Sequence, residues 1–204
     1  MKIKICGLFR DEDIDYVNEA RPDYAGFVFT GSKRQVSAPL AQYLRFRLAE
    51  GIVPVGVFMN APVSMIASLY SNGTISIAQL HGDEDESYIA HLKKTCSAYK
   101  TQTQFKVIKV IKGEALVKNI PVTAADYYLV DSGAGSGKTF NWELLNTKKI
   151  DKPWFLAGGI NLKNIKQAMA LNPFAIDISS GAETDGIKDR EKILKLTSIV
   201  KEGK

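Results

Sequence analysis

Tyr127-Tyr128-Leu129-Val130-Asp131 is the stretch from which this chain is best read. Four apolar residues follow one another without alternation and close on a carboxylate, after which the sequence turns to glycine and serine. A strand with one face in water alternates apolar and polar side chains. An unbroken apolar run is what a strand covered on both faces shows. Seven more runs, near residues 2–6, 24–29, 53–58, 75–80, 104–110, 153–157 and 173–178, are short and rich in Val, Ile, Phe or Tyr. Helical spacing fills the intervals. Leu40, Tyr43, Leu44 and Leu48 share a face over 38–50, and Val63, Ile66 and Leu69 share one over 62–70. Residues 84–99, 162–171 and 189–200 repeat the pattern, and Pro39 and Pro62 stand at helix starts, where a missing amide hydrogen costs little.

Eight strand–helix units in 204 residues point to one α/β domain over residues 1–204, a closed (β/α)8 or TIM barrel near the lower size limit of that fold. A doubly wound open sheet is the competing architecture. It would use fewer strands at this length, and no G-x-G-x-x-G follows the first run. In a barrel the active site lies where strands end and helices have yet to begin. The positions there read Cys6-Gly7, Lys33-Arg34, Asn60, Gln79-Leu80-His81-Gly82, Lys109, Asp131, Ala157-Gly158-Gly159 and Asp177 onward to Gly181. They are far more polar than the strands before them.

Composition narrows the ligand. The chain is 45% hydrophobic with a net charge of +5, and its lysines are dispersed rather than gathered in a basic block. A small phosphorylated or carboxylated molecule fits that balance better than nucleic acid. No stretch is apolar for long enough to span a membrane, and the charged N-terminus lacks a signal-peptide core, so a cytoplasmic protein is expected. The two cysteines, Cys6 and Cys96, lack metal-ligand spacing and are expected to be reduced. His81 and His91 form no metal constellation. His91 reads as an exposed helix residue, whereas His81 stands at a strand end, positioned to line a pocket. A monomer is the default, because the apolar helix faces serve the barrel itself, and a homodimer is the alternative.

Two groups suit proton transfer. Cys6 ends one strand and offers a thiol base; Asp131 ends another and offers a carboxyl acid. Such a pair suggests an isomerase rather than a binding module. Gly158-Gly159 and Ser179-Ser180-Gly181 occupy the last two loops, where barrel enzymes often hold phosphate against backbone amides. The planar fork of Arg34 suits bidentate capture of a carboxylate. After Asp131, Gly135-Ser136-Gly137-Lys138-Thr139 invites comparison with a nucleotide-binding P-loop. That motif needs a glycine where Ser132 stands, so residues 132–139 read better as a flap that closes over substrate.

The ordered set of these segments resembles the phosphoribosylanthranilate isomerase family of tryptophan biosynthesis over essentially the whole length. The matching segments are Lys4-Ile5-Cys6-Gly7, Gly26-Phe27-Val28-Phe29 with Ser32-Lys33-Arg34, Val55-Gly56-Val57-Phe58, Gln79-Leu80-His81-Gly82, and Leu129-Val130-Asp131. Further along come residues 135–140, Leu156-Ala157-Gly158-Gly159-Ile160 with Asn164, and Ile176-Asp177-Ile178-Ser179-Ser180-Gly181-Ala182-Glu183. The resemblance implies an Amadori rearrangement of N-(5-phosphoribosyl)anthranilate without metal or organic cofactor. It places the general base on Cys6, the general acid on Asp131, the carboxylate-facing arginine on Arg34, and the phosphate loops on Gly158-Gly159 and Ser180-Gly181. Asn141 stands where that family usually has Asp, and Ile160 where Leu is commoner. A histidine-pathway aminoaldose isomerase is the nearest alternative, but that family uses an aspartate where Cys6 stands. A non-catalytic barrel that binds phosphate ligands is the other. For the chemistry, the Asp131 carboxyl is expected to be buried among apolar groups, and the Cys6 thiol to be lowered by positive charge from Lys4.

Overall fold

The computed structural model of the protein describes residues 1–101, 103–112, 123–131 and 150–203. Eight parallel strands close into a barrel in chain order: β1 (Lys2–Cys6), β2 (Tyr24–Val28), β3 (Val53–Phe58), β4 (Ile77–Leu80), β5 (Lys106–Lys112), β6 (Tyr127–Asp131), β7 (Trp154–Ala157) and β8 (Ala175–Ile178). β8 pairs back onto β1 with Lys4 beside Asp177, which completes the ring. No strand end departs from its sequence expectation by more than two residues. The expected helices appear as α2 (Ala38–Arg47), α3 (Val63–Ser71), α4 (Glu86–Ser97), α5 (Ile165–Ala170) and α6 (Arg190–Glu202). An additional helix, α1 (Asp11–Ala20), follows β1. Among the described residues, no helix is long and apolar enough to cross a membrane.

Strand pleating sorts the core into two shells. Ile3, Ile5, Ala25, Phe27, Ala78, Leu80, Tyr128, Val130, Ile176 and Ile178 face outward and pack with the helices in one large cluster. Tyr24, Val55, Ile77, Ile108, Leu129 and Phe155 fill the barrel interior, and Cys6, Val28 and Val57 form a small layer above them. Fully burying side chains of this kind stabilises by ~1.5–3 kcal/mol each. This two-sided burial is why the strands read as continuous apolar runs.

Local signals set the helix starts. Ser37 accepts from the Leu40 amide, Asp85 from Tyr88 and Asp189 from Lys192, each satisfying an amide that the helix leaves unpaired. Between β8 and α6 the chain makes a single 3-10 turn (Ser180–Ala182) and a two-stranded hairpin, β9 (Glu183–Thr184) and β10 (Ile187–Lys188). Asp185 at φ 53° and Gly186 at φ 80° make its tight turn, a conformation that glycine adopts without strain.

Candidate active site

At the C-terminal mouth of the barrel lies a cavity of about 320 Å³. Seven of the eight expected site residues line it: Cys6, His81, Asp131, Gly158, Gly159, Ser180 and Gly181. Cys6 ends β1 and Asp131 ends β6, and the ring order β1–β8–β7–β6 sets the two strands three steps apart around the barrel. Thiol and carboxyl therefore enter one space from different sides. The expected flap, residues 132–139, and the Phe140-Asn141-Trp142 segment lie outside the described residues. Cys96 is a buried free thiol on α4, and His91 is exposed on the same helix.

Beneath Cys6 lies a charged cluster that the sequence reading had not assembled. Lys4, two residues back along β1, is fully buried. Its ammonium donates to Gln79 Oε1 at 2.8 Å and to Asp177 Oδ1 and Oδ2 at 3.0 and 3.1 Å. The register explains the contact: Lys4 and Asp177 are partners on adjacent strands, and both point inward. Asp177 and Gln79 also line the cavity. Burial works against the Lys4 charge, but Asp177 and Cys6 beside it outweigh this, and the ammonium titrates above its ordinary value.

The thiol does not move as expected. Burial pushes the Cys6 pKa up; Lys4 pulls it down, Asp177 pushes it up again, and the net direction is upward. The expectation counted the lysine alone. Its effect is opposed by the carboxylate it holds and by the dry setting, since Cys6 is 7% exposed. Asp131 differs from expectation too. Its side chain is 28% exposed, and His81 Nε2 stands 3.5 Å from its Oδ2, so the carboxyl is only partly buried and has an imidazole beside it.

Arg34 is the one expected residue that does not line the cavity. Its side chain lies over Gly7, the residue after Cys6, where an added Cβ would fall 2.4 Å from Arg34 Cδ. Nε donates to Glu183 Oε1 and Nη2 to Glu183 Oε2, both at 2.6 Å. Lys109 on β5 is likewise engaged: its ammonium donates to the Gly82 carbonyl at 2.8 Å and to Glu84 Oε2 at 3.1 Å. Glu84 also accepts from the Asn60 and Gly82 amides, at 2.7 and 2.9 Å. This node ties the loops after β3 and β4 to strand β5 and fixes the loop that carries His81.

The two small-residue loops meet backbone to backbone. Gly158 and Gly159 adopt φ values of 99° and 65°, and a Cβ on Gly181 would fall 1.8 Å from the Ile160 carbonyl oxygen. Any side chain at 181 must therefore force the loops after β7 and β8 apart. Gly181→Ala is expected to lower the melting temperature by several degrees, from about 1–3 kcal/mol of overpacking at roughly 2–4 °C each for a chain this size. An unchanged melting curve would show that the loops yield freely.

The sequence and the fold both match known proteins. The sequence profile of the N-(5'-phosphoribosyl)anthranilate (PRA) isomerase family matches residues 3–198. A curated relative from Endomicrobium trichonymphae, named N-(5'-phosphoribosyl)anthranilate isomerase, is 44% identical over 206 residues, covering 98% of each chain. The crystal structure of TrpF from Jonesia denitrificans superposes with a TM-score of 0.83 at 29% identity, covering 98% of this chain and 97% of that one. A phosphoribosyl anthranilate isomerase solved in complex with reduced 1-(o-carboxyphenylamino)-1-deoxyribulose 5-phosphate superposes at 0.75 with 28% identity, covering 99% of both chains. On the profile match and the full-length identity, the chain belongs to the N-(5'-phosphoribosyl)anthranilate isomerase family.

Proposed function

We propose that the chain catalyses the Amadori rearrangement of N-(5-phosphoribosyl)anthranilate to 1-(2-carboxyphenylamino)-1-deoxyribulose 5-phosphate, with Asp131 as general acid and Cys6 as general base. The observation that carries the reading is the convergence of these two groups, from β6 and β1, on one cavity of a size suited to a small sugar phosphate. Family membership makes this substrate the first to try.

The reaction opens the ribose ring and moves a proton. Asp131 delivers a proton to the ring oxygen as the bond from that oxygen to C1′ breaks. The anthranilate nitrogen supplies the electron pair that forms the imine. Cys6, as thiolate, then removes the C2′ proton, and the electrons of that C–H bond flow into the imine to give an enolamine. Loss of the 2′-hydroxyl proton and protonation at C1′ complete the ketone, with no net gain or loss of protons. Backbone amides around Gly158, Gly159, Ser180 and Gly181 would hold the phosphate, for which glycine allows the closest approach. Arg34 would face the substrate carboxylate.

Turnover by purified protein tests the reading directly. Phosphoribosylanthranilate should be consumed, followed by its fluorescence, while the histidine-pathway aminoaldose is not. Activity on the latter alone would overturn it.

The buried cluster makes a separate prediction about pH. Lys4 favours the thiolate and Asp177 disfavours it. Lys4→Met should therefore move the limb of kcat/KM that tracks the thiolate to higher pH, and Asp177→Asn should move it to lower pH. Breaking a buried pair from one side costs ~3–5 kcal/mol, so the melting temperature of each variant is measured alongside. Limbs that coincide with wild type in both folded variants would remove the cluster from any hold on Cys6.

A further inference from the structure

The Arg34–Glu183 pair is more specific than a tie between two loops requires. A guanidinium carries five N–H groups in a rigid plane. Glu183 takes the edge formed by Nε and Nη2, which leaves the other edge, formed by Nη1 and the second Nη2 hydrogen. Among the described residues, Nη1 has no hydrogen-bond partner. A planar fork fixed along one edge points its other edge in a set direction, as bidentate recognition of a second carboxylate requires.

Glu183 is itself held from several sides. It sits directly across the β9–β10 hairpin from Lys188, in the position where opposed side chains share a face. The Lys188 ammonium, whose side chain is fully buried, reaches Glu183 Oε1 at 2.5 Å and the Ser179 carbonyl at 3.1 Å. Lys192 on α6 donates to the Glu183 carbonyl at 2.6 Å. Burial works against the Glu183 charge, but its bonds to Arg34 and Lys188 outweigh this and hold the carboxyl below its ordinary pKa. Glu183 therefore stays ionised and fixed when Arg34 must be oriented. Gly7 completes the arrangement, since only a residue without Cβ lets the arginine cross the end of β1 beside Cys6.

We infer that Glu183 is a positioning residue for substrate selection: clamped by Lys188, it fixes Arg34 so that the free guanidinium edge recognises an aryl carboxylate on the sugar's amine substituent. This rests on the isomerase reading above. Glu183 also lies two residues beyond Gly181, so the hairpin that aims the arginine continues directly from a loop assigned to the phosphate. Carboxylate and phosphate recognition would then share one rigid segment.

The test compares two substrates, phosphoribosylanthranilate and the same ribose 5-phosphate carrying aniline, which lacks only the carboxylate. For wild type, Glu183→Gln and Arg34→Ala, the ratio of kcat/KM for the two is measured; a general loss of stability lowers both rates and leaves the ratio unchanged. Glu183→Gln should lower the preference for the carboxylate by about tenfold, mainly through KM, and add little further in the Arg34→Ala background. Should Glu183→Gln not fold with Lys188 left unpaired, Glu183→Gln with Lys188→Met removes both charges and takes its place. An unchanged ratio in the folded glutamate variant, with a collapsed ratio in Arg34→Ala, would leave Glu183 a structural tie only and overturn the inference while sparing the function. A ratio unchanged in Arg34→Ala as well overturns it by removing the arginine from carboxylate recognition. Wild type that turns over neither compound takes the isomerase reading down first.

Discussion

Replacing Cys6 with alanine is expected to lower kcat by about 10²–10⁴-fold, the range that a lost general base removes, with KM changed little. The fold should survive the change. Sγ lies in the small apolar layer with Val28 and Val57, against the backbone of Gly26, where a Cβ would come within 2.8 Å of it. Deleting one atom there costs roughly the 1 kcal/mol of a methyl-sized void. The pH profile carries the sharper test. The thiolate is the active form, and burial raises the thiol above its ordinary value of 9.0, so the thiolate fraction is still growing at the upper end of the neutral range. Turnover also needs Asp131 protonated, so the test is comparative: the limb of kcat/KM that tracks formation of the thiolate should be present in wild type and absent in Cys6→Ala, while the limb set by the acid remains. A variant retaining more than roughly a tenth of wild-type kcat, or the same limb, would take the base away from Cys6.

The architecture was legible because the barrel buries both faces of every strand. Ile3 and Ile5 point out to the helices while Val55, Ile77, Ile108 and Leu129 point in, so a strand such as β3 or β6 shows no alternation at all. α1 was not legible in the same way. Its buried face is carried by Ile14 and Val17, and the third buried residue is Asp13, whose carboxylate accepts from the Phe9 and Arg10 amides. Two apolar positions amid Asp11, Glu12, Asp13 and Asp15 make too faint a stripe to stand out.

The site divided along a similar line. Which residues reach the mouth followed from strand ends alone, and Cys6, His81, Asp131 and the two glycine loops are there. Which partners they meet depended on register between distant segments. Lys4 and Asp177 are 173 residues apart, and Arg34 and Glu183 are 149 apart. No local pattern announces either pair. One signal was available: Lys4 and Asp177 are charged residues within otherwise apolar strands, at positions whose pleat turns them inward. A charge inside a barrel needs a counter-charge, and here the adjacent strand supplies it. The thiol's upward displacement comes first from burial, with Asp177 adding to it against the pull of Lys4, and could not be judged from Lys4 by itself.

Asp131→Asn is expected to match Cys6→Ala in size of effect, about 10²–10⁴-fold in kcat, because an amide keeps the shape and hydrogen bonding of the carboxyl but has no acidic proton to give. The two losses fall on different steps, and this separates their roles. Asp131 acts before the C2′ bond is touched, and Cys6 breaks that bond. With deuterium at C2′ of the substrate, slowing ring opening in Asp131→Asn should hide any isotope effect on kcat. Slowing deprotonation in Cys6→Ser should expose a pronounced one. The position of Asp131 suits an early role, since its carboxyl is 28% exposed at the mouth, beside the His81 imidazole, where an entering sugar ring meets it before reaching the depth of Cys6. An isotope effect in Asp131→Asn as large as in Cys6→Ser would place both residues on the deprotonation step, and the ring oxygen would then need another donor among the groups lining the cavity, where the His81 imidazole stands 3.5 Å from Asp131.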